Sequence, residues 1–72
     1  MSVAQLLELM SDYQQVTLEA ETDTMFGVIT VSKTMNCSAW KTEPIYKTLS
    51  SRQISHIYAY NNVIVAYIEK EV

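Results

Sequence analysis

The sequence contains one histidine and one cysteine, the residue types best suited to acid–base and nucleophilic chemistry near neutral pH. His56 could serve as a general base, and Cys37 could serve as a nucleophile if a neighbouring cation stabilised its thiolate. No basic residue adjoins Cys37, and the flanks of His56 form no nucleophile motif. We therefore predict that the protein is not an enzyme, with catalysis by His56 as a distant alternative.

Two carboxylates, Glu19 and Glu21, are spaced two residues apart, which places them on one face of a strand. Such a pair can hold a divalent cation, although it is more typical of a solvated edge strand that resists aggregation. One cysteine and one histidine are too few for a zinc site, and one glycine is too few for a phosphate-binding loop. We predict no metal and no cofactor, and we expect Glu19, Glu21 and Asp23 to bind a partner protein if they have a special role.

Three tyrosines and the histidine follow one another along the stretch ISHIYAYNNVIVAYIE, residues 54–69. Tyrosine combines a large apolar surface with a polar tip, as recognition surfaces do. Stacking on nucleic-acid bases normally needs interleaved basic residues, and Lys70 lies beyond this stretch. We predict a face that binds a second copy or another protein, with simple cover for a sheet as the alternative. Its predicted contact residues are His56, Tyr58, Tyr60 and Tyr67.

Charge is distributed unevenly along the chain, whose net charge is −3. Residues 1–24 carry five acidic side chains and no basic one, whereas residues 33–52 carry four basic side chains and one acidic one. This pattern lacks the concentrated basic footprint of a nucleic-acid-binding protein. The acidic first third permits electrostatic docking on a basic partner.

The 72 residues suffice for one domain, residues 1–72. A chain of this size buries only about 60% of its surface on folding, and a single cysteine offers no disulfide to add stability. We therefore expect a homodimer or binding to a partner protein. The start of the sequence lacks a basic secretory leader, and no run approaches the roughly 18 apolar residues of a membrane span. These features predict a cytoplasmic protein that does not enter a membrane.

Two helices are predicted from apolar spacing and end signals. Ser2 and Gln5 have the spacing of a capping box, and the apolar residues that follow recur at helical spacing over residues 3–13. Pro44 suits the first turn of a helix, which we predict over residues 44–51.

The first two strands are predicted from alternation of apolar and polar residues. They cover residues 16–21 and 26–33, with a turn at 22–24. Gly27, the only glycine, lies where a bulge or a close backbone approach is expected. Residues 34–43 show no clear pattern and are left unassigned, since 34–38 are polar and irregular and Ala39 and Trp40 are apolar.

The last two strands are predicted to form a hairpin, because Asn61 and Asn62 tolerate the positive φ of a two-residue turn. The turn fixes the register. On one face it pairs Tyr60 with Val63, Tyr58 with Val65 and His56 with Tyr67, with Ile54 on the same face. On the other, aliphatic face it pairs Ala59 with Ile64, Ile57 with Ala66 and Ser55 with Ile68. We predict that the aliphatic face is core.

The elements thus follow the order α-β-β-α-β-β. The economical arrangement is an α+β fold in which a four-stranded antiparallel sheet carries both helices on one face. The other face is left uncovered, and the tyrosines of the hairpin are expected on it.

Two segments carry a resemblance to known proteins. They are the leading pattern V-x-x-L-L-x-L-M-x-x-Y followed by V-T-L-E-A-E, and the closing pattern R-Q-I-S-H-I-Y-A-Y-N-N-V-I-V-A-Y-I. Together they resemble small uncharacterised proteins encoded by bacteriophages and integrated mobile elements of Firmicutes. The resemblance covers the two ends, about half of the chain, and supplies no functional residue. It implies a protein that acts by binding a host protein, as anti-CRISPR inhibitors do.

The sequence therefore predicts a small acidic protein-interaction module, acting as a phage or mobile-element accessory protein. The tyrosine face is the first candidate for the contact. An acidic inhibitor of a host nucleic-acid-binding or defence protein, engaging it through Glu19, Glu21 and Asp23, is the alternative.

Overall fold

The protein is an α+β chain, and its computed structural model describes residues 1–69, with the side chains of all of these except residues 22–24 and 29. The described elements are α1 (Val3–Glu8), β1 (Gln15–Thr24), β2 (Gly27–Asn36), α2 (Cys37–Thr42), α3 (Tyr46–Leu49), β3 (Ile54–Tyr60) and β4 (Val63–Ile68). The predicted succession of helices and strands is confirmed except that the middle helix is two short helices. Within the described residues, no helix has the length and apolar composition needed to cross a bilayer.

The four strands form one mixed sheet in the order β2-β1-β4-β3. The two outer pairs are antiparallel, whereas residues 15–19 of β1 pair in parallel with residues 63–67 of β4. The predicted fully antiparallel sheet is therefore wrong at its central pair. Parallel neighbours need a long crossover, which the segment from α2 to β3 provides. The crossover lets the aliphatic β4, rather than β3, take a central place with a neighbouring strand at each of its edges.

The core lies on one face of this sheet, which we call the helix face. Its buried side chains come from all three helices and from the two central strands, and form one cluster of Val3, Leu6, Leu7, Val16, Leu18, Ala20, Cys37, Trp40, Leu49, Ala66 and Ile68. Trp40 is fully buried there, and its indole Nε1 donates to the Val16 carbonyl over 2.8 Å. The helices thus pack on a single face, as the sequence predicts.

The first helix begins as predicted and ends earlier. The capping box is present, because Ser2 Oγ accepts from the Gln5 N–H and Gln5 Oε1 accepts from the Ser2 N–H. The helix stops at Glu8 rather than at residue 13, and Leu9 and Tyr13 are 74% and 87% exposed. The chain has to leave the helix there to enter β1, so these two apolar side chains find no core to cover.

The segment that the sequence left unassigned, residues 34–43, forms strand and helix as far as Thr42. Its first residues extend β2, and α2 follows with Asn36 as its N-cap. The carbonyls of Gln14 and Asp12 accept from the N–H groups of Cys37 and Ser38. These bonds satisfy donors that a helix start otherwise leaves unpaired, so the link between α1 and β1 stabilises α2. The predicted helix over 44–51 is shorter, and α3 spans only Tyr46–Leu49.

The β1–β2 hairpin turns later than predicted. Thr24 pairs with Gly27, so the turn consists of Met25 and Phe26, and residues 22–24 continue the backbone of β1. Gly27 has a φ of +118°, a conformation that side chains disfavour, while a Cβ built on it meets nothing within 4 Å. The glycine is thus needed for its dihedral angle rather than for a close approach.

Candidate functional site

The β3–β4 hairpin has the predicted turn and most of the predicted register. Asn61 and Asn62 have φ angles of 48° and 65°, as a primed two-residue turn requires. The observed pairs are Tyr60 with Val63, Ala59 with Ile64, Tyr58 with Val65, Ile57 with Ala66 and His56 with Tyr67. The amide Nε2 of Gln14 also donates to the Asn62 carbonyl over 2.7 Å, which ties the turn to the start of β1.

A bulge at Ser55 changes the beginning of the hairpin. Ile68 pairs with Ile54, not with Ser55 as predicted, because the register shifts between Ile54 and His56. One extra residue moves every preceding side chain to the opposite face. Ile54 therefore packs against the core instead of standing beside His56.

The aliphatic side of the hairpin is core only along β4. Ala66 and Ile68 are buried, whereas Ile57 is 42% exposed and Ala59 is exposed. The prediction that the whole side is core is therefore wrong for β3. The buried cluster draws on β1 and β4, and β3 lies at the edge beyond it.

The face opposite the helices, which we call the open face, brings the two predicted contact regions together. Because β1 and β4 are parallel neighbours, Glu19 lies directly opposite Tyr67, and Tyr67 in turn pairs with His56. The carboxylates Glu19 and Glu21 and the tyrosine hairpin, predicted as alternative sites, therefore lie on one surface. From the register, its members include Thr17, Glu19, Glu21, Ser32, His56, Tyr58, Tyr60, Val65 and Tyr67.

One row of side chains crosses all four strands of this face. Ser32 Oγ donates to Glu19 Oε1 over 3.2 Å, and the imidazole of His56 stacks on the Tyr67 ring with centroids 4.3 Å apart. The Tyr58 ring also stacks on Tyr67, at 5.9 Å. Tyr67 is thus held between an acidic and an aromatic neighbour.

The Tyr67 hydroxyl is strongly perturbed. Hydrogen bonding with Tyr58 and with Glu19, followed by desolvation and the negative charge of Glu19, raises the pKa of Tyr67 to about 12. The phenol therefore stays protonated at any physiological pH. It remains available as a hydrogen-bond donor between β1 and β3.

The row next to it contains residues that were not among the predicted contact residues, although the predicted register already puts Val65 on this face. Val65 is buried although it faces away from the helices, and it forms an apolar floor between Thr17 and Tyr58. Thr17 Oγ1 and Thr34 Oγ1 share a hydrogen bond of 2.6 Å. Only the pairing of β1 with β4 reveals this row, and local sequence holds no signal for that pairing.

Three more of the predicted contact residues are exposed on this face. Tyr58 and Tyr60 are 47% and 67% exposed, and Glu21 is exposed on β1. The backbone of Asp23 pairs with Val28, but its side chain lies outside the described residues. The described members thus form a mixed aromatic and acidic surface.

An open pocket of about 170 Å³ lies at the end of β4. Its lining includes Glu19, Glu21, Thr30, Ser55, His56 and Tyr67. Sites for cofactors and small-molecule substrates usually measure about 300–1,000 Å³. The pocket is therefore smaller than most sites of that kind.

The two residues considered for catalysis are not brought together. Cys37 is fully buried in the core, where its Sγ contacts the Leu7 carbonyl and burial raises the pKa of its thiol. His56 is exposed on the other face of the sheet, with Nδ1 3.1 Å from Ser55 Oγ. Ser55 also donates to the Tyr67 carbonyl, which gives its hydroxyl a structural role in the bulge.

Within the described residues, no group of three or more His, Cys, Asp or Glu side chains is placed to hold a metal ion. Comparisons of the chain with protein-family models, with curated proteins and with solved structures find no match.

Proposed function

We propose that this chain is a small, non-enzymatic protein-interaction module whose open face binds a partner protein that presents lysine or arginine side chains. The observation that supports this most directly is the register that places Glu19 opposite Tyr67. It puts carboxylates and aromatic rings around one pocket. A cationic side chain can contact both groups at once.

The aromatic part of the face has the make-up of an interaction hot spot. Tyr58 and Tyr60 expose large apolar areas, and Val65 provides a buried floor beside them. Such clusters of tyrosine around a desolvated centre contribute most of the energy in many interfaces. The ring of Tyr67 is already fixed by its neighbours, so little conformational entropy is lost when a partner covers it.

The charges of the described residues favour a basic partner. Glu19 and Glu21 lie on the open face, whereas Lys33 and Lys41 form ion pairs with Glu43 and Asp12. The register puts Lys33 opposite Leu18, on the helix face. The open face is therefore the acidic side of the sheet, and aromatic rings beside carboxylates also offer cation–π contacts.

A second candidate function follows from the same surface. An acidic face that engages lysine and arginine could cover the basic surface with which another protein binds nucleic acid. The resemblance to small bacteriophage and mobile-element proteins supports an accessory protein that inhibits a host defence or nucleic-acid-binding protein in this way. The acidic pair on the open face is the specific observation in its favour.

The test is capture of a partner from a lysate of the host by immobilised protein, at low and at high salt. The variants are Tyr58→Ser with Tyr60→Ser, and Glu19→Gln with Glu21→Gln. If the partner binds through the open face, each of these two double variants should fail to capture it. Binding that depends on carboxylates should also weaken when the salt concentration reaches several hundred millimolar, because exposed charges are then screened.

Two control variants carry the same changes away from the open face. Tyr13→Ser removes a tyrosine that is 87% exposed in the link after α1, and Glu8→Gln removes an exposed carboxylate on α1. Both should leave capture unchanged. A partner that is lost equally with the controls, or retained by all variants, would contradict the proposal. If the captured protein binds nucleic acid, competition by that nucleic acid separates the inhibitor from a general interaction module.

A further inference from the structure

In the part of the chain that the structure describes, the outer edge of β3 is unpaired for most of its length. The strand is the last in the sheet order, and within the described residues it pairs only with β4 and, at its start, with the first residues of the chain. There Ile54 N–H donates to the Met1 carbonyl. From Ser55 to Tyr60 every residue is exposed.

The hairpin geometry decides which backbone groups point outwards. Residues that flank a two-residue turn exchange both of their backbone hydrogen bonds, and the pattern then alternates along the pair. Tyr60, Tyr58 and His56 therefore direct their backbone groups towards β4. The N–H and C=O groups of Ile57 and Ala59 point away from the sheet.

From His56 to Tyr60 this edge lacks the features that keep edge strands apart, because the bulge at Ser55 and the contact with Met1 both lie before this stretch. Natural edges carry lysine, proline or inward-pointing charges, and β2, the opposite edge, carries Lys33. Strand β3 has the sequence ISHIYAY, with no proline and no acidic, lysine or arginine residue. It is also apolar on both of its faces, because Ile57 and Tyr58 are both more than 40% exposed.

We infer that a second copy of this chain pairs with the outer edge of β3, antiparallel and centred on Tyr58, to form a continuous eight-stranded sheet. In this register the outward groups of Ile57 bond those of Ala59 in the second copy. The pairing covers residues 56–60 and stops before Ile54, which Met1 already occupies.

The sequence of β3 is complementary to itself in this register. On the open face, Tyr58 meets Tyr58 and His56 meets Tyr60 of the second copy, which repeats the histidine–tyrosine stack already present between β3 and β4. On the helix face, Ile57 meets the smaller Ala59. If β3 carried charged side chains, the two-fold axis would bring like charges close together. The strand has no acidic, lysine or arginine residue, so this repulsion is absent from the pairing. The inference depends only on this edge and does not require the proposed function.

The first experiment measures mass by light scattering and sedimentation over a range of concentrations, without any partner. The wild-type chain should have twice the monomer mass. Ala59→Pro removes an outward N–H and should give the monomer, as should Ile57→Lys, which adds a charge to the edge. Val28→Lys makes the same kind of change on β2, where Val28 is 55% exposed, and should stay dimeric.

A disulfide test checks the register. Tyr58 faces itself across the axis as a non-hydrogen-bonded pair, with Cα atoms about 4.5 Å apart, which suits a disulfide. Tyr58→Cys should form a covalent dimer under mild oxidation, and Ile57→Cys, displaced from the axis, should not. Folding of each variant is checked by fluorescence of the buried Trp40.

Three results would overturn the inference. They are a monomeric wild type at every concentration, a dimer that persists in both edge variants, or equal cross-linking at positions 57 and 58. None of the edge changes at Ile57 or Ala59 alters a side chain of the open face. Failure of the dimer is thus distinguishable from failure of partner binding.

Discussion

Glu19 and Tyr67 lie opposite each other at the last position where β1 and β4 pair in parallel. The pair joins an acidic strand from the first third of the chain to an aromatic hairpin at its end. A fully antiparallel sheet would not need to place them together. The mixed topology is therefore what turns two separate sequence features into one surface.

The first prediction concerns the ionisation of Tyr67. Its pKa is raised to about 12 in the folded protein, whereas a tyrosine in the unfolded chain has a pKa of about 10. Folding therefore favours the protonated phenol. The stabilisation is therefore complete below about pH 10 and is lost as the pH rises from 10 to 12. In a titration of tyrosinate absorbance, Tyr67→Phe should remove a late-titrating tyrosine.

The carboxylate of Glu19 is part of the cause, so Glu19→Gln should lower the pKa of Tyr67. Glu21→Gln, two residues along the same strand face, is the matched control and should have the smaller effect. If the tyrosinate titration of Tyr67→Phe still contained the late-titrating tyrosine, another tyrosine would have to be the one that ionises last. Tyr46 is the alternative, because burial also raises its pKa.

The second prediction concerns the hydrogen bond from Trp40 to β1. Trp40→Phe keeps an aromatic ring but leaves the Val16 carbonyl without its 2.8 Å donor and opens a small cavity in the core. Together these should cost about 2–4 kcal/mol, a large share of the stability of so small a domain. Urea unfolding followed by circular dichroism measures the loss. Tyr13→Phe, at an exposed position, should change the midpoint little, and an equal effect would contradict the assignment.

The hairpin shows what the sequence can establish. Its turn depends on two adjacent asparagines, and a two-residue loop leaves a single register, so five of the six predicted pairs are observed. The sixth pair failed because of the bulge at Ser55. No glycine or proline marks that bulge, which follows from the need to turn Ile54 towards the core.

The position of the hairpin in the sheet could not be predicted in the same way. Parallel pairing of β1 with β4 joins residues nearly fifty positions apart, and their alternation pattern is equally compatible with other strand orders. The helix predicted over residues 3–13 was too long for a related reason. Leu9 and Tyr13 continue the helical spacing, but the direction of the chain after Glu8 leaves them in solvent.

The third prediction tests the turn itself. Both asparagines have positive φ, which costs an alanine roughly 1–2 kcal/mol relative to a residue that adopts it readily. Asn62→Ala should therefore be destabilising, whereas Asn62→Gly should be neutral or stabilising, since asparagine–glycine suits this turn best. The Asn62 carbonyl that accepts from Gln14 is present in both variants, so their difference isolates the dihedral angle. Equal urea midpoints for the two variants would contradict the turn type.

The last prediction concerns Arg52, which links β1 and β4 beyond the end of their pairing. Its guanidinium donates to the Glu69 carbonyl over 2.6 Å and to the Glu21 carbonyl over 3.4 Å. Among the described residues its Nε has no hydrogen-bond partner, which reduces the net gain. Arg52→Met keeps the aliphatic stem but removes the donors, and should lower the free energy of unfolding by about 1–2 kcal/mol.

The expected change for Arg52→Met is local as well as global. Amide hydrogen exchange should rise most at the ends of β1 and β4, near Glu21 and Glu69, while the hairpin turn is little affected. Both hydrogen bonds come from the same nitrogen, Nη2 of Arg52. Arg52→Lys should therefore recover part of the stability, but not all of it, because the planar guanidinium loses less side-chain entropy for each hydrogen bond than a lysine ammonium does. Lys41→Met, which breaks an exposed ion pair at 4.0 Å, is the matched control and should cost less than about 1 kcal/mol. If Arg52→Met cost no more than Lys41→Met, the guanidinium would not hold the two central strands together.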